Sequence, residues 1–155
     1  MVKNDLSERD LLIKAQNYCS LAEHCVAEVR DKLYQWGATA EVRDRVIDSL
    51  LDKGFIDEAR YAAAFVHDKV AFQAWGREKI RMMLLMKHIA SPVIDQALAT
   101  IDEEEYNRQL SRLIEQKKQE TLNSKLSTFN FKTKTARFLA QRGFTTAEIM
   151  SKINI

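Results

Sequence analysis

Three stretches of the chain repeat one pattern of apolar and polar positions: VRDKLYQWGATAEV from Val29, IRMMLLMKHIASPVI from Ile80 and TARFLAQRGFTTAEI from Thr135. Each predicts a helix with a leucine near its end, a short turn, a capping residue and a second helix. The three leucines, Leu33, Leu84 and Leu139, lie 51 and 55 residues apart. Gly37 and Gly143 suit the left-handed conformation that closes a helix, and Thr39 and Thr145 suit the cap of the next. Thr145 has Glu148 three residues on, the spacing of a capping box. In the second copy His88 stands where the others have glycine. There Ser91-Pro92 gives the start signal, with proline at the first helical position, where its missing amide hydrogen costs nothing.

A longer helix precedes each pair. Asp57-Glu58-Ala59-Arg60-Tyr61 and Asp102-Glu103-Glu104-Glu105-Tyr106 both offer an aspartate as N-cap and acid in the first turn, where the helix dipole favours it. The first copy begins near Ser7, with Asp10 three residues on. The periodicity therefore predicts an all-α chain of three tandem three-helix repeats, 7–54, 57–101 and 102–155, the third with a looser insert from about Thr121 to Lys132. Units of this size bury little alone and are expected to stack into a curved, elongated array with a concave side. The stretch KGFIDEARYAAAFVHDK from Lys53 marks the first junction. Gly54 closes one helix, Asp57 starts the next, Ala59, Ala62, Ala63 and Ala64 keep that helix slim, and Tyr61, Phe65 and Val66 are available to fill the gap between units.

The helix at RMMLLMK departs from simple amphipathicity. At about 100° per residue, Ile80, Met83 and Leu84 share one face while Met82, Leu85 and Met86 cover the other. Such a helix reads as a central one buried on both sides by units one and three. The alternative is an adaptable methionine-rich contact for a partner.

Composition sharpens the fold class. With 4 Gly and 1 Pro in 155 residues there are few turns to build sheets, and Ala, Leu, Glu, Lys, Arg and Gln are the residues that lose least in a helix. Cys19 and Cys25 form neither a metal knuckle nor a disulfide framework, which implies a reducing compartment. No charged-then-apolar leader and no membrane-length apolar run is present, so a cytoplasmic protein with no membrane partner is expected.

The net charge of +2 hides an asymmetry. Residues 1–68 hold 9 Lys+Arg against 13 Asp+Glu, net −4, and residues 106–155 hold 10 against 3, net +7. Between Lys69 and Lys87 all five basic residues of the middle segment face a single acid, Glu78. A polyanionic partner on one side of the molecule, most simply nucleic acid, would explain this; so would a solvated face. The candidate binding residues are Arg77 and Arg81, about one helical turn apart, with Lys79 and Lys87 nearby, and, in the third unit, Lys125, Lys132, Lys134, Arg137 and Arg142. Phe129 and Phe131 are interleaved with Lys125 and Lys132. Basic groups with nearby aromatics can follow a single strand by charge and stacking, although such phenylalanines also anchor loops to a core.

Nothing in the sequence supports catalysis. His24, His67 and His88 are scattered, no HExxH, nucleophile elbow or phosphate loop occurs, and the acidic runs at Asp57 and Glu103–Glu105 serve as helix starts. No catalytic residue, metal ligand or cofactor is expected.

The stretch LLDKGFIDEARYAAAFV, from Leu50 to Val66, and TARFLAQRGFTTAEI near the C-terminus resemble the RecX family, bacterial regulators of the RecA recombinase. The resemblance covers nearly the whole chain. It implies tandem three-helix repeats that bind in the groove of the RecA filament and restrain its recombinase, ATPase and coprotease activities. The partners it implies are RecA and the single-stranded DNA within the filament, with free DNA bound weakly and the protein acting as a monomer. Two other classes remain open on the residues alone. A helix-turn-helix regulator would need exposed base-reading side chains, which the second helices AEVRDR, PVIDQA and AEIMSK scarcely offer. A purely protein-binding helical adaptor would not depend on DNA.

Overall fold

Short-range capping chemistry determines where the helices begin. Ser7, Thr39 and Asp57 accept from the amides of Asp10, Val42 and Arg60 at 3.1, 3.3 and 3.0 Å. Asp102 accepts from Glu104 at 2.9 Å, and Thr145 and Glu148 exchange both bonds of a capping box at 2.9 and 3.1 Å. The α2 start lacks a usual cap residue, and there Glu28 accepts from the Cys25 amide at 3.2 Å. The computed structural model describes residues 6–124 and 128–153. Within them lie α1 (Glu8–Leu21), α2 (Val26–Gln35), α3 (Ala40–Asp52), α4 (Glu58–Ala71), α5 (Arg77–Met86), α6 (Ser91–Leu98), α7 (Glu103–Ser124), α8 (Thr128–Gln141) and α9 (Thr146–Ile153). The protein is an all-α repeat fold, and no strand occurs among the described residues.

Gly37, Gly54 and Gly143 close their helices with φ of 88°, 77° and 98°. His88 does the same with φ 61°, and its amide and that of Ile89 bond back to Leu85 and Leu84 at 2.9 and 3.1 Å. A non-glycine residue there costs roughly 1–2 kcal/mol, which those two bonds offset. At α6 the start lies one residue earlier than the serine signal suggests. Ala90 is the N-cap, and Ser91 and Pro92 are the first two helical residues.

Helices α1, α2 and α3 pack on one another around Leu11, Val29, Leu33, Val46 and Leu50, and Ile56 folds back from the linker to seal this core. Helices α4 to α9 share a second, continuous core that includes Leu84, Tyr106, Leu110, Leu139, Phe144 and Ile149. The last six helices form one packed body, while α1–α3 enclose their own core and reach the other through Cys25, which is fully buried in it, and Ala27, which packs against it.

Two further expectations change. The looser insert expected from Thr121 to Lys132 is helical on both sides of 125–127, because α7 runs to Ser124 and α8 begins at Thr128. Helix α5 is not buried on both sides. Ile80 and Leu84 are fully buried, but Met82, Leu85 and Met86 are 60%, 46% and 66% exposed, since α4 and α6 cover only one side of the helix.

Candidate functional site

The basic residues predicted to act together fall into two groups with different surroundings. The first group is built into the seam between the second and third helix triplets. The turn from α8 to α9 lies across the start of α5: the Gly76 amide donates to the Arg142 carbonyl at 2.7 Å and the Glu78 amide to the Gly143 carbonyl at 2.9 Å. Two amides at one helix start thus meet two carbonyls at another helix end, so each end supplies partners that its own helix lacks. The Arg142 side chain crosses the same seam and donates to the carbonyls of Gln73 and Ala74. Arg77 donates to Glu103 and, at 2.9 Å, to Glu148, and its guanidinium lies 4.0 Å over the Tyr106 ring. It is 25% exposed. Arg77 and Arg142 therefore hold units together, and Arg142 does not share a face with Lys134 and Arg137.

The rest of the middle cluster is also engaged. Arg81 pairs with Asp95 of α6 at 2.6 Å, and the Lys79 ammonium sits 4.2 Å over the Trp75 ring. Lys87 lies 3.5 Å from Glu28, an ion pair that links the first triplet to the second. Glu28 is a hub, since its other oxygen meets the Cys25 amide at 3.2 Å and the His24 ring nitrogen at 3.3 Å. Burial pushes this carboxyl up, but the Cys25 amide, Lys87 and His24 outweigh burial and hold it below its ordinary value of 4.5. A carboxyl depressed by folding contributes stability that is present above its ordinary value and lost as pH falls through the lower, folded one. Glu28→Gln is accordingly expected to be less stable than the wild type at neutral pH, with the gap closing in acid. Chemical denaturation of both proteins at a series of pH values checks this; a gap independent of pH overturns it.

The second group is free. Lys132, Lys134 and Arg137 are exposed on α8 and form no ion pair among the described residues. Lys134 and Arg137 are three residues apart and share a side of the helix, while Thr135 and Leu139 face inward. Lys132 lies about 200° round the helix from Lys134 and belongs to the other flank. Lys125 lies outside the described residues. Arg112 and Lys118 on α7 are also exposed without a partner, and neither stood among the predicted residues. Their signal was present in the charge count of the third unit, but no short motif singled them out. Phe131 is half-buried, and Phe138, overlooked in the sequence, carries Lys117 at 4.1 Å and Arg142 at 5.5 Å on its ring.

Among the described residues no group of three or more His, Cys, Asp and Glu side chains is placed to hold a metal ion, and no helix is long and apolar enough to cross a membrane. The arrangement leaves Arg112 and Lys118 on α7 and Lys132, Lys134 and Arg137 on α8 exposed and without an ion pair among the described residues, next to the seam that joins the second and third triplets.

Comparison with known proteins bears on what this arrangement is. Two family models match consecutive segments, RecX, first three-helix domain over residues 13–55 and RecX, second three-helix domain over 57–98, together more than half of the chain. The chain belongs to the RecX family. The Regulatory protein RecX of Clostridium botulinum (strain Alaska E43 / Type E3) is 32% identical over 143 residues, 90% of this chain and 66% of that protein. That of Clostridium tetani is 28% identical over 127 residues, 82% of this chain and 58% of the relative. The chain thus spans less than two thirds of the length of these RecX relatives. A crystal structure of RecX from Lactobacillus salivarius has the same fold, with a TM-score of 0.82 over 95% of this chain and 94% of that one at 23% identity. In this RecX chain the two segments matched by the family models are helices from the first and second triplets, and the free cations on α7 and α8 lie C-terminal to both.

Proposed function

We propose that the protein is a nonenzymatic modulator, mainly an inhibitor, of the RecA nucleoprotein filament, binding in the filament groove and restraining recombinase, ATPase and coprotease activity. Membership of a family whose relatives carry the name Regulatory protein RecX supports the regulatory role. The observation that carries the filament reading is the division of charge: the cations of α2–α6 with pairs serve cohesion, whereas Lys132, Lys134 and Arg137 remain exposed and unpaired. Free cations on one helix suit a phosphate backbone, whose binding releases counterions and needs no sequence readout. The binding set is therefore Lys132, Lys134 and Arg137 with Arg112 and Lys118, and the structural tasks of Arg77 and Arg142 remove them from it. Single-stranded DNA within the filament is the intended polyanion, and free DNA is bound weakly. The protein works without a cofactor, as a monomer in the cytoplasm.

A helix-turn-helix reading gains nothing. On α3, Arg43 donates to the Ala38 carbonyl at 2.7 Å and Arg45 pairs with Glu8 at 2.8 Å, while α6 carries no cation. The deciding measurement is RecA's ATP hydrolysis on single-stranded DNA with this protein titrated in. Hydrolysis is expected to fall to a low plateau, and an unchanged rate at saturating protein overturns the proposal.

A further inference from the structure

The first and second triplets leave a cleft of about 590 Å³ between α2 and the C-terminal end of α5. Its apolar wall consists of Val26, Ala27, Met83 and Met86. Met86 continues along α5 into the exposed Met82 and Leu85: Met82 lies three residues from Leu85 and four from Met86, so the three share one side of the helix. The methionine side chains, being unbranched, adapt to an incoming surface more readily than branched ones.

Charge at the rim is one-sided once the internal pairs are set aside. The two strong cations there, Arg30 and Lys87, are held by Asp44 at 2.9 Å and Glu28 at 3.5 Å. The two remaining acids, Asp31 and Glu58, have no cationic partner among the described residues. The Glu58 Oε2 atom is buried and has no hydrogen-bond partner among the described residues. Burial also raises the Glu58 carboxyl above its ordinary value, as fits a carboxylate that lacks its partner.

We propose that this cleft docks a short cationic, apolar segment of a protein partner, with a lysine or arginine of the segment meeting Glu58 and Asp31 while apolar side chains on either side of it cover Met83, Met86 and Leu85. Unpaired carboxylates at the rim repel a phosphate backbone, so the cleft serves protein, whereas the cations of α8 serve DNA. The surface is distinct from the one assigned above, and binding here needs no DNA. The filament reading and this one therefore stand or fall separately.

The test uses the full chain and two short fluorescent helical peptides, one built of leucine and lysine and one in which glutamate replaces every lysine, with binding read by anisotropy. The lysine peptide binds the wild type, and the glutamate peptide is at least about tenfold weaker. Asp31→Asn with Glu58→Gln weakens the lysine peptide about tenfold while the protein melts no lower than the wild type, because neither carboxylate has an ion pair to lose among the described residues. Met86→Lys weakens it further, and Lys134→Glu with Arg137→Glu does not. Equal binding of the two peptides, or full binding by the Asp31→Asn, Glu58→Gln variant, overturns the proposal. So does a wild-type dimer in sedimentation that Met86→Lys disperses without any change in peptide binding, which assigns the face to a second copy of the chain.

Discussion

Gly76→Ala is expected to lower the melting temperature by about 6–12 °C, well beyond the usual effect of a surface substitution, because it forces apart the seam between α5 and the α8–α9 turn. Gly76 has φ −82° and ψ 164°, extended backbone that alanine adopts freely, so the effect is not one of conformational preference. It is steric. A Cβ at position 76 would overlap the Gly143 carbonyl group and the Phe144 amide, both backbone and neither able to swing aside. The chain must then separate at this point, which takes away the 2.7 and 2.9 Å bonds to the Arg142 and Gly143 carbonyls. Each buried amide left without a partner costs about 1–3 kcal/mol, and overpacking alone costs about the same, so a loss of about 3 kcal/mol or more follows. Gly143→Ala combines a similar overlap, with Lys79, and a φ of 98° that disfavours any side chain, and should be at least as severe. Calorimetry of Gly76→Ala decides the matter: a loss below about 1 kcal/mol means that the seam gives way at little cost.

What was legible in the sequence follows from the range of the interactions concerned. Caps and closures act over three to five residues, so Thr145 with Glu148, Asp57, Asp102 and the glycines at 37, 54 and 143 marked helix ends from their neighbours alone. The leucines Leu33, Leu84 and Leu139 were legible for the same reason and are all fully buried. Arg77 and Arg142 were not legible as seam residues. Their partners Glu148 and Gln73 lie 71 and 69 residues away, and a single helix face carries no information about what another triplet brings to it. The outer side of α5 failed for a related reason. Its apolar character could be read, but whether Met82 and Met86 are covered depends on how many neighbours the helix has, and α4 and α6 cover only one side. Charge counting, by contrast, pointed to the third of the chain that carries the exposed, unpaired cations, but it did not single out Arg112 and Lys118. A count integrates over positions that no local motif distinguishes.

Reversing charge at Lys134 and Arg137 is expected to weaken binding to the filament on single-stranded DNA about 10- to 100-fold near 0.1 M salt, and to lessen the steepness of its salt dependence by about 1.4 in log–log slope. The slope follows from counterions: each cation that neutralises a phosphate on a single strand contributes about 0.7, and two are lost. Affinity falls further than neutralisation alone would give, because a glutamate at either position faces the phosphates with like charge. Neither substitution should disturb the fold, since both side chains are exposed and neither has an ion pair to lose among the described residues. A fair control changes net charge equally at the other end of the chain: Arg9→Glu with Lys53→Glu, also exposed and unpaired, should cost little affinity and leave the slope as it is. Equal losses in the two double variants would mean that overall charge, and not the α8 face, draws the protein to DNA. Unchanged affinity and slope in Lys134→Glu, Arg137→Glu would remove α8 from the interface altogether, and the protein would then act on its partner through protein contacts alone.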